Sequence, residues 1–210
     1  MAYAVEDLIN QALDAIGFSF HIAWIYEGSP AARVALEIYS LTRDALLEQG
    51  DWPSAMAEVL LVSNGQTPPS TWSYEYAYPT DCLRVRNVRP GPLTGATVNY
   101  DPQPALYRPY FDIRTSPPAR AIVCNLSSAI LVYNAKVTNP ASWDPGFTAA
   151  LVAALAAKMA FMLPQTADTA KAAIALAGQA KVEGMLVDDL SAPTVGIAHA
   201  SNAGAEQGQR

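Results

Sequence analysis

Proline is concentrated in the middle of this chain, and that distribution limits where helices can form. Ten of its 16 prolines fall between Pro68 and Pro118. Proline lacks the amide hydrogen that a helix interior needs, so most of this span is excluded from helix. Short strands joined by proline turns are the structure that the pattern predicts. The clearest predicted strands are 82–88, 120–125 and 129–137, and 89–118 is predicted to be an irregular arm or loop.

Helical patterns flank the proline-rich region on both sides. Ser29-Pro30 and Asp144-Pro145 are helix start signals, and Gly17 and Gly50 are stop signals. Apolar spacing between these signals predicts helices at 4–16, 30–49, 145–163 and 167–189, with a helical first part in 54–62. The predicted buried face of the second helix comprises Val34, Ile38, Leu41, Ala45 and Leu46.

Together these elements predict an α+β fold that is mainly α. We expect an antiparallel helix bundle formed by 1–66 and 141–190, a β-rich, proline-rich insert at 67–140, and an extended C-terminal tail at 191–210. The third helix is apolar nearly all round from Phe147 to Leu163, with Lys158 inside it. A membrane span is the alternative, but this run is shorter than the ~20 residues that a span needs. A buried central helix is therefore the prediction.

The low number of charged residues indicates that other proteins cover part of the surface of this chain. Apolar residues make up 51% of the chain and charged residues 15%, which is few for a protein with an uncovered surface. The net charge is −6, yet the segment 72–140 carries +3 and the remainder −9. Such an asymmetry suits a protein that packs basic faces against acidic faces of its neighbours. Chance is the alternative explanation, because the counts are small.

No pattern typical of a catalytic site was found. His21 and His199 have no partner at metal-ligand spacing, and the chain has neither a nucleophile elbow nor a glycine-rich phosphate loop. Acidic pairs occur only at helix ends, where Glu6-Asp7 complements the helix dipole and Asp188-Asp189 is expected to be solvated. We therefore predict no enzyme, no cofactor and no metal.

The two cysteines, Cys82 and Cys124, both lie in the predicted insert. Their separation does not fit a metal site, so we interpret them as reduced core thiols of a cytosolic protein. A disulfide is the alternative if the two residues lie on adjacent strands.

A cluster of aromatic residues opens the insert: Trp72, Tyr74, Tyr76 and Tyr78. Such residues can stack on bases, and arginines follow them at Arg84 and Arg86. A nucleic-acid-binding module that uses this basic, aromatic insert is therefore the alternative function. Packing of the aromatic side chains in the core is the favoured interpretation.

The order of these signals resembles a known family. The residues that carry the resemblance are Trp52, then W-x-Y-x-Y-x-Y-P-x-D-C-L-R-V from Trp72 to Val85, then Trp143-Asp144-Pro145 with Phe147. Together with the flanking helices they resemble the head-to-tail adaptor family of tailed bacteriophages. That family includes head-completion adaptors and the tail tubular protein A of short-tailed phages.

The resemblance implies a structural virion protein without catalysis, which is assembled in the host cytoplasm and located in the neck. Family members form a homo-oligomeric ring, usually of twelve copies, beneath the portal protein. The ring extends the channel, through which DNA passes without specific recognition, and docks a nozzle, tube or other tail protein. No membrane is involved.

In such adaptors the C-terminal segment engages the portal, a role that here falls to 191–210. The expected portal-binding residues are Pro193, Val195, Ile197, His199 and Arg210, and the expected subunit-interface residues are Trp72, Tyr76, Arg84 and Arg86.

Overall fold

The computed structural model describes residues 4–69, 71–91, 104–163 and 167–191. The helices are α1 (Val5–Ala15), α2 (Pro30–Gln49), α3 (Pro145–Met162) and α4 (Ala167–Ser191). The strands are β1 (Met56–Leu60), β2 (Tyr74–Ala77), β3 (Cys82–Pro90), β4 (Tyr107–Asp112), β5 (Ala119–Cys124) and β6 (Ala129–Ala135). Short 3₁₀ turns precede β1 and α3, at Pro53–Ala55 and Pro140–Ser142.

The prediction of a mainly helical fold is wrong. The described chain contains four helices and two three-stranded antiparallel sheets, which is a roughly balanced α+β structure. The first sheet has the strand order β1-β6-β3 and the second has the order β2-β5-β4. The predicted tail lies outside the described residues, apart from Ser191, which ends α4.

Two strands lie where the sequence patterns predict other structures. The sequence predicts that Met56–Leu60 belongs to a helical segment of the bundle, but it pairs with β6 along its whole length. The prolines predict an irregular loop at Tyr107–Asp112, but this segment pairs with β5. Pro109 is tolerated there because β4 lies at the edge of its sheet, where a missing amide hydrogen need not break a ladder.

The helix ends follow from local capping. The Ser29 hydroxyl accepts a hydrogen bond from the Ala32 amide at 3.2 Å, and the Asp144 carboxylate accepts one from the Phe147 amide at 2.6 Å. Gly17 follows α1 with a φ of +70°, a conformation that glycine adopts at little cost. The start and stop signals in the sequence therefore predict these boundaries to within about two residues.

The helices pack around α3, which contacts each of the other three. The Phe147 ring lies at its start, in edge-to-face contact with Trp52 at 5.3 Å and with Trp143 at 5.1 Å. All three side chains are buried. They close the helical core on the side where the sheets begin.

One predicted core residue lies on the surface. Leu41 is 69% exposed, whereas Ile38, Thr42 and Leu46 on the same helix are buried. Alanines at the start of α2, among them Ala35, are also fully buried. Since small side chains allow close helix contacts, α2 turns this alanine-containing stripe toward α3 and leaves Leu41 outside.

A second core lies between the two sheets. Leu131 and Tyr133 of β6 and Val88 of β3 face Ile122 and Cys124 of β5. Val137, just after β6, packs against both this core and the helical core, so the two cores are adjacent. Helices, first sheet and second sheet thus follow one another as layers.

Candidate assembly surfaces

The joint between the helices and the first sheet is built on one buried asparagine. The Asn134 amide group donates hydrogen bonds to the carbonyl oxygens of Leu47 and Gly50, both at 2.8 Å. The Trp52 indole N–H donates to the Leu46 carbonyl at 2.8 Å. The Leu46 carbonyl also accepts from the Gly50 amide at 3.0 Å. The Leu47 and Gly50 carbonyls lie at the helix end and have no partner within the helix, so the Asn134 bonds satisfy groups that would otherwise be buried unpaired. They fix the sheet against the C-terminal end of α2.

Ion pairs cross the same joint. Lys136 binds Asp44 at 2.8 Å, and Arg86 pairs with Asp51. Burial lowers the pKa of the Arg86 guanidinium. Positive charges of the predicted insert thus neutralise negative charges of the helical part within one chain, which accounts for part of the asymmetry seen in the sequence.

Of the aromatic residues between Trp72 and Tyr78, some lie in the core and others on the surface. Tyr76 is buried, and its hydroxyl donates to the Leu126 carbonyl. Tyr78 is half-buried beside the Arg120 guanidinium, which lies 5.5 Å from the ring centre. Burial raises the pKa of both tyrosines to about 12. Trp72 is half-buried and Tyr74 is exposed.

The four expected subunit-interface residues therefore have different surroundings. Tyr76 belongs to the core between the sheets, and Arg86 is engaged with Asp51. Arg84 is exposed and makes only a long contact, 3.5 Å, with the Glu48 carbonyl. Arg84 and Trp72 remain accessible to another molecule.

The sequence did not predict an ionic cluster in which an exposed arginine binds two buried carboxylates. The Arg114 guanidinium binds the carboxylates of Glu75 at 2.7 Å and Asp112 at 2.8 Å, and both carboxylates are buried. Arg114 also donates to the Thr67 carbonyl and holds the pKa of Asp112 below its usual value. The signal available in the sequence was Glu75, a charged residue inside an aromatic strand. The cluster ties β2 to β4 and to the preceding loop.

Cys82 and Cys124 are free, buried thiols. They lie on β3 and β5, in different sheets, so the condition of adjacent strands for a disulfide is not met. Burial raises the pKa of both thiols.

The described part of the chain holds no group of three or more His, Cys, Asp or Glu side chains arranged to bind a metal ion. His21 lies 2.6 Å from the Asp14 carboxylate, with both side chains exposed. His199 lies outside the described residues.

Large apolar side chains are exposed in several regions of the described chain, three of which lie outside the helices. The linker between α1 and α2 presents Phe20, Trp24 and Tyr26, the last two in edge-to-face contact at 5.0 Å. The edge strand β1 and the residues after it present Met56, Leu60 and Val62. The edge strand β4 and its flanks present Leu106, Phe111 and Ile113. Within the described residues, β1 and β4 are outer strands of their sheets, and both present apolar side chains to solvent.

Among the described helices, α3 alone is long and apolar enough to cross a bilayer by length and composition. Eight of its residues are buried in the helical core, and Lys158 donates to the Thr42 hydroxyl of α2 at 2.9 Å. Core helices often have such a composition, so the finding is weak evidence for a membrane segment.

The expected portal-binding residues, Pro193, Val195, Ile197, His199 and Arg210, all lie outside the described part of the chain. No protein-family model matches the sequence, and no curated protein matches it.

Proposed function

We propose that this chain is a structural subunit that functions by packing between other proteins. The observation that carries the proposal is the exposure of large apolar side chains in several separate regions, three of them outside the helices. Phe20, Val62 and Leu106 are 76%, 70% and 85% exposed, one in each region. Exposed apolar area of this kind marks protein contacts, and several such regions on one chain suit a subunit with several neighbours.

Within that class we propose a head-to-tail adaptor of a tailed bacteriophage. The support is the sequence resemblance carried by Tyr78-Pro79-x-Asp81-Cys82-Leu83-Arg84-Val85 and by Trp143-Asp144-Pro145. Copies of the chain would form a ring, usually of twelve, under the portal in the virion neck. The ring would extend the DNA channel and dock a tail protein on its far side.

The course of α4 supports a role for the C-terminal segment in this assembly. Leu176 and Ala180 line the same groove as Pro145 and Thr148, so α4 runs back along α3 toward the start of that helix. At 25 residues α4 is longer than the 18-residue α3, and Lys181 contacts Gln49 at the end of α2. The C-terminal end of α4 therefore extends past the start of α3.

The test is removal of residues from Ala192 onward. We expect the truncated chain to keep its fold and lose binding to the cognate portal, because the proposed contacts of Val195 and Ile197 would be gone. The readout is co-sedimentation with portal-bearing capsids, with circular dichroism as the check on folding.

A matched pair of full-length variants sharpens this test. Val195→Asp combined with Ile197→Asp should weaken portal binding, whereas Glu206→Gln in the same segment should not. Normal portal binding by the truncated chain would refute the role of the tail.

A further inference from the structure

A cleft between the two sheets combines arginines with aromatic rings. It has a volume of about 660 Å³ and opens to the surface between β3, β4 and β5. We call it the arginine–aromatic cleft and define it by Tyr78, Arg84, Tyr107, Phe111 and Arg120, all of which line it. The Tyr107 hydroxyl donates to the Arg86 carbonyl at 3.1 Å, so its ring is held in place, and Phe111 is 61% exposed.

The positive charges in this cleft lack carboxylate partners. Most of the neighbouring basic side chains are in ion pairs: Arg86 with Asp51, Arg89 with Glu58, Lys136 with Asp44 and Arg114 with two carboxylates. Within the described residues, Arg84 and Arg120 form none. Arg84 contacts one backbone carbonyl, and Arg120 lies over the Tyr78 ring. The cleft therefore offers two cations beside exposed aromatic surface.

A complementary surface lies on the outer side of α2. We call it the acidic ridge and define it by Leu36, Glu37, Leu41 and Glu48, all exposed. Glu37 and Leu41 are four residues apart and so lie side by side on the helix. Neither Glu37 nor Glu48 forms an ion pair within the described part of the chain. The ridge combines carboxylates with apolar side chains, as the cleft combines guanidinium groups with aromatic rings.

The ridge cannot fill the cleft of its own chain. Arg84 contacts the Glu48 carbonyl at the C-terminal end of α2. Glu37 lies eleven residues earlier, roughly 16 Å away along the helix axis at 1.5 Å per residue. Leu41 and Glu37 are therefore out of reach of their own Arg84 and stay accessible to another molecule.

We propose that the acidic ridge of one copy docks in the arginine–aromatic cleft of a neighbouring copy. Leu41 packs against Phe111 and Tyr107, and Glu37 pairs with Arg120. The occupant is a second copy of this chain because the charges of the two surfaces are complementary: within the described residues, Glu37 and Glu48 on the ridge and Arg84 and Arg120 in the cleft form no ion pair. The inference rests on the proposed ring assembly and specifies its lateral contact.

The experiment is a charge-swap cycle on the full-length chain. Glu37→Lys and Arg120→Glu should each weaken association between copies by about tenfold or more, and the double variant should recover most of that loss. Association is measured by analytical ultracentrifugation and by the number of copies bound per portal ring. Glu183→Lys on α4 and Arg108→Glu on β4 are controls with the same charge changes at other exposed positions.

The outcomes separate this inference from the proposed function. If the wild-type chain forms rings on the portal and the swapped variants form them equally well, the lateral contact is wrong and the adaptor proposal stands. If the wild-type chain neither self-associates nor binds portal, the adaptor proposal fails. Salt-dependent binding to double-stranded DNA that Arg120→Glu abolishes and Glu37→Lys leaves intact would identify the cleft as a nucleic-acid surface and overturn the inference.

Discussion

At the scale of single residues, Asn134 determines how the first sheet is attached to the helices. It is fully buried, and its amide group donates to three backbone carbonyls at the end of α2, those of Leu47, Glu48 and Gly50. No aliphatic side chain of the same size could make these bonds. Position 134 therefore requires a side-chain amide donor of this shape, and this requirement is independent of the function of the protein.

We predict that Asn134→Ala destabilises the chain by about 2–4 kcal/mol, because buried carbonyls lose their donor. Asn134→Asp should cost at least as much, since a carboxylate of nearly the same shape would place oxygen against the carbonyl oxygens. Urea unfolding followed by tryptophan fluorescence measures both. If the aspartate variant were as stable as the wild type, the proposed direction of these hydrogen bonds would be wrong.

Four tyrosines make stability sensitive to alkaline pH. Burial raises the pKa of Tyr76, Tyr78, Tyr110 and Tyr133 to about 12, from an ordinary value of 10. A group whose pKa is raised in the folded state favours folding fully below its unfolded pKa. The stability contributed by these residues should be intact below pH 10 and be lost as the pH rises toward 12.

A base titration checks this predicted loss of stability. It follows tyrosine ionisation by tyrosinate absorbance and unfolding by circular dichroism. We expect a late group of tyrosines that ionises together with unfolding, and one fewer of them in Tyr76→Phe. Ionisation of every tyrosine near pH 10 with the fold intact would contradict the account.

At the scale of elements, Gly50 at the end of α2 and Gly178 inside α4 give a matched test of the packing at the joint. A Cβ at Gly50 would overlap the Trp52 indole, whereas a Cβ at Gly178 inside α4 would meet nothing. Gly50→Ala should destabilise by about 1–3 kcal/mol through overpacking. Gly178→Ala should stabilise by about 0.5–1 kcal/mol, because alanine favours the helix. Thermal unfolding compares them, and equal effects of the two changes would refute this description of the joint.

The helices could be predicted from the sequence because their signals are local. Ser29-Pro30, Asp144-Pro145 and Gly17 act within one turn, and the boundaries of α2 agree with the prediction at both ends. The strands β1 and β4 could not be predicted from the sequence, because each forms by pairing with another strand and not through signals in its own residues. Met56 pairs with Asn134, far along the chain, and a helical start or a loop was an equally good local interpretation.

For the candidate surfaces too, local sequence patterns predict some features, and contacts between distant residues determine the others. Alternation along β3 identifies Arg84, which is exposed as expected, but the partner of Arg86, Asp51, comes from a distant segment. The spacing of Leu41 predicts a core position, although the alanine-containing face of α2 takes that place. The cluster of Arg114 with its two buried carboxylates depends on three separate segments. Sequence patterns therefore predicted which residues could form surfaces, and tertiary contacts decided which of them do.

At the scale of the whole molecule, the layers leave distinct surfaces uncovered. The helical side exposes the acidic ridge and the aromatic linker, and the sheets expose apolar edge strands and the arginine–aromatic cleft. These surfaces differ in charge, so copies can associate head to tail, and head-to-tail contacts produce rings when the rotation closes. A ring with further apolar surface left over is what a connector between two other proteins requires.

The most direct test of this account is the mass of the complex that the full-length chain forms with its cognate portal, measured by native mass spectrometry and electron microscopy. The account predicts a ring of about twelve copies seated on the portal, formed even if the chain alone is monomeric. A chain that stays unbound at micromolar concentrations, or that binds as isolated copies without ring contacts, would contradict it.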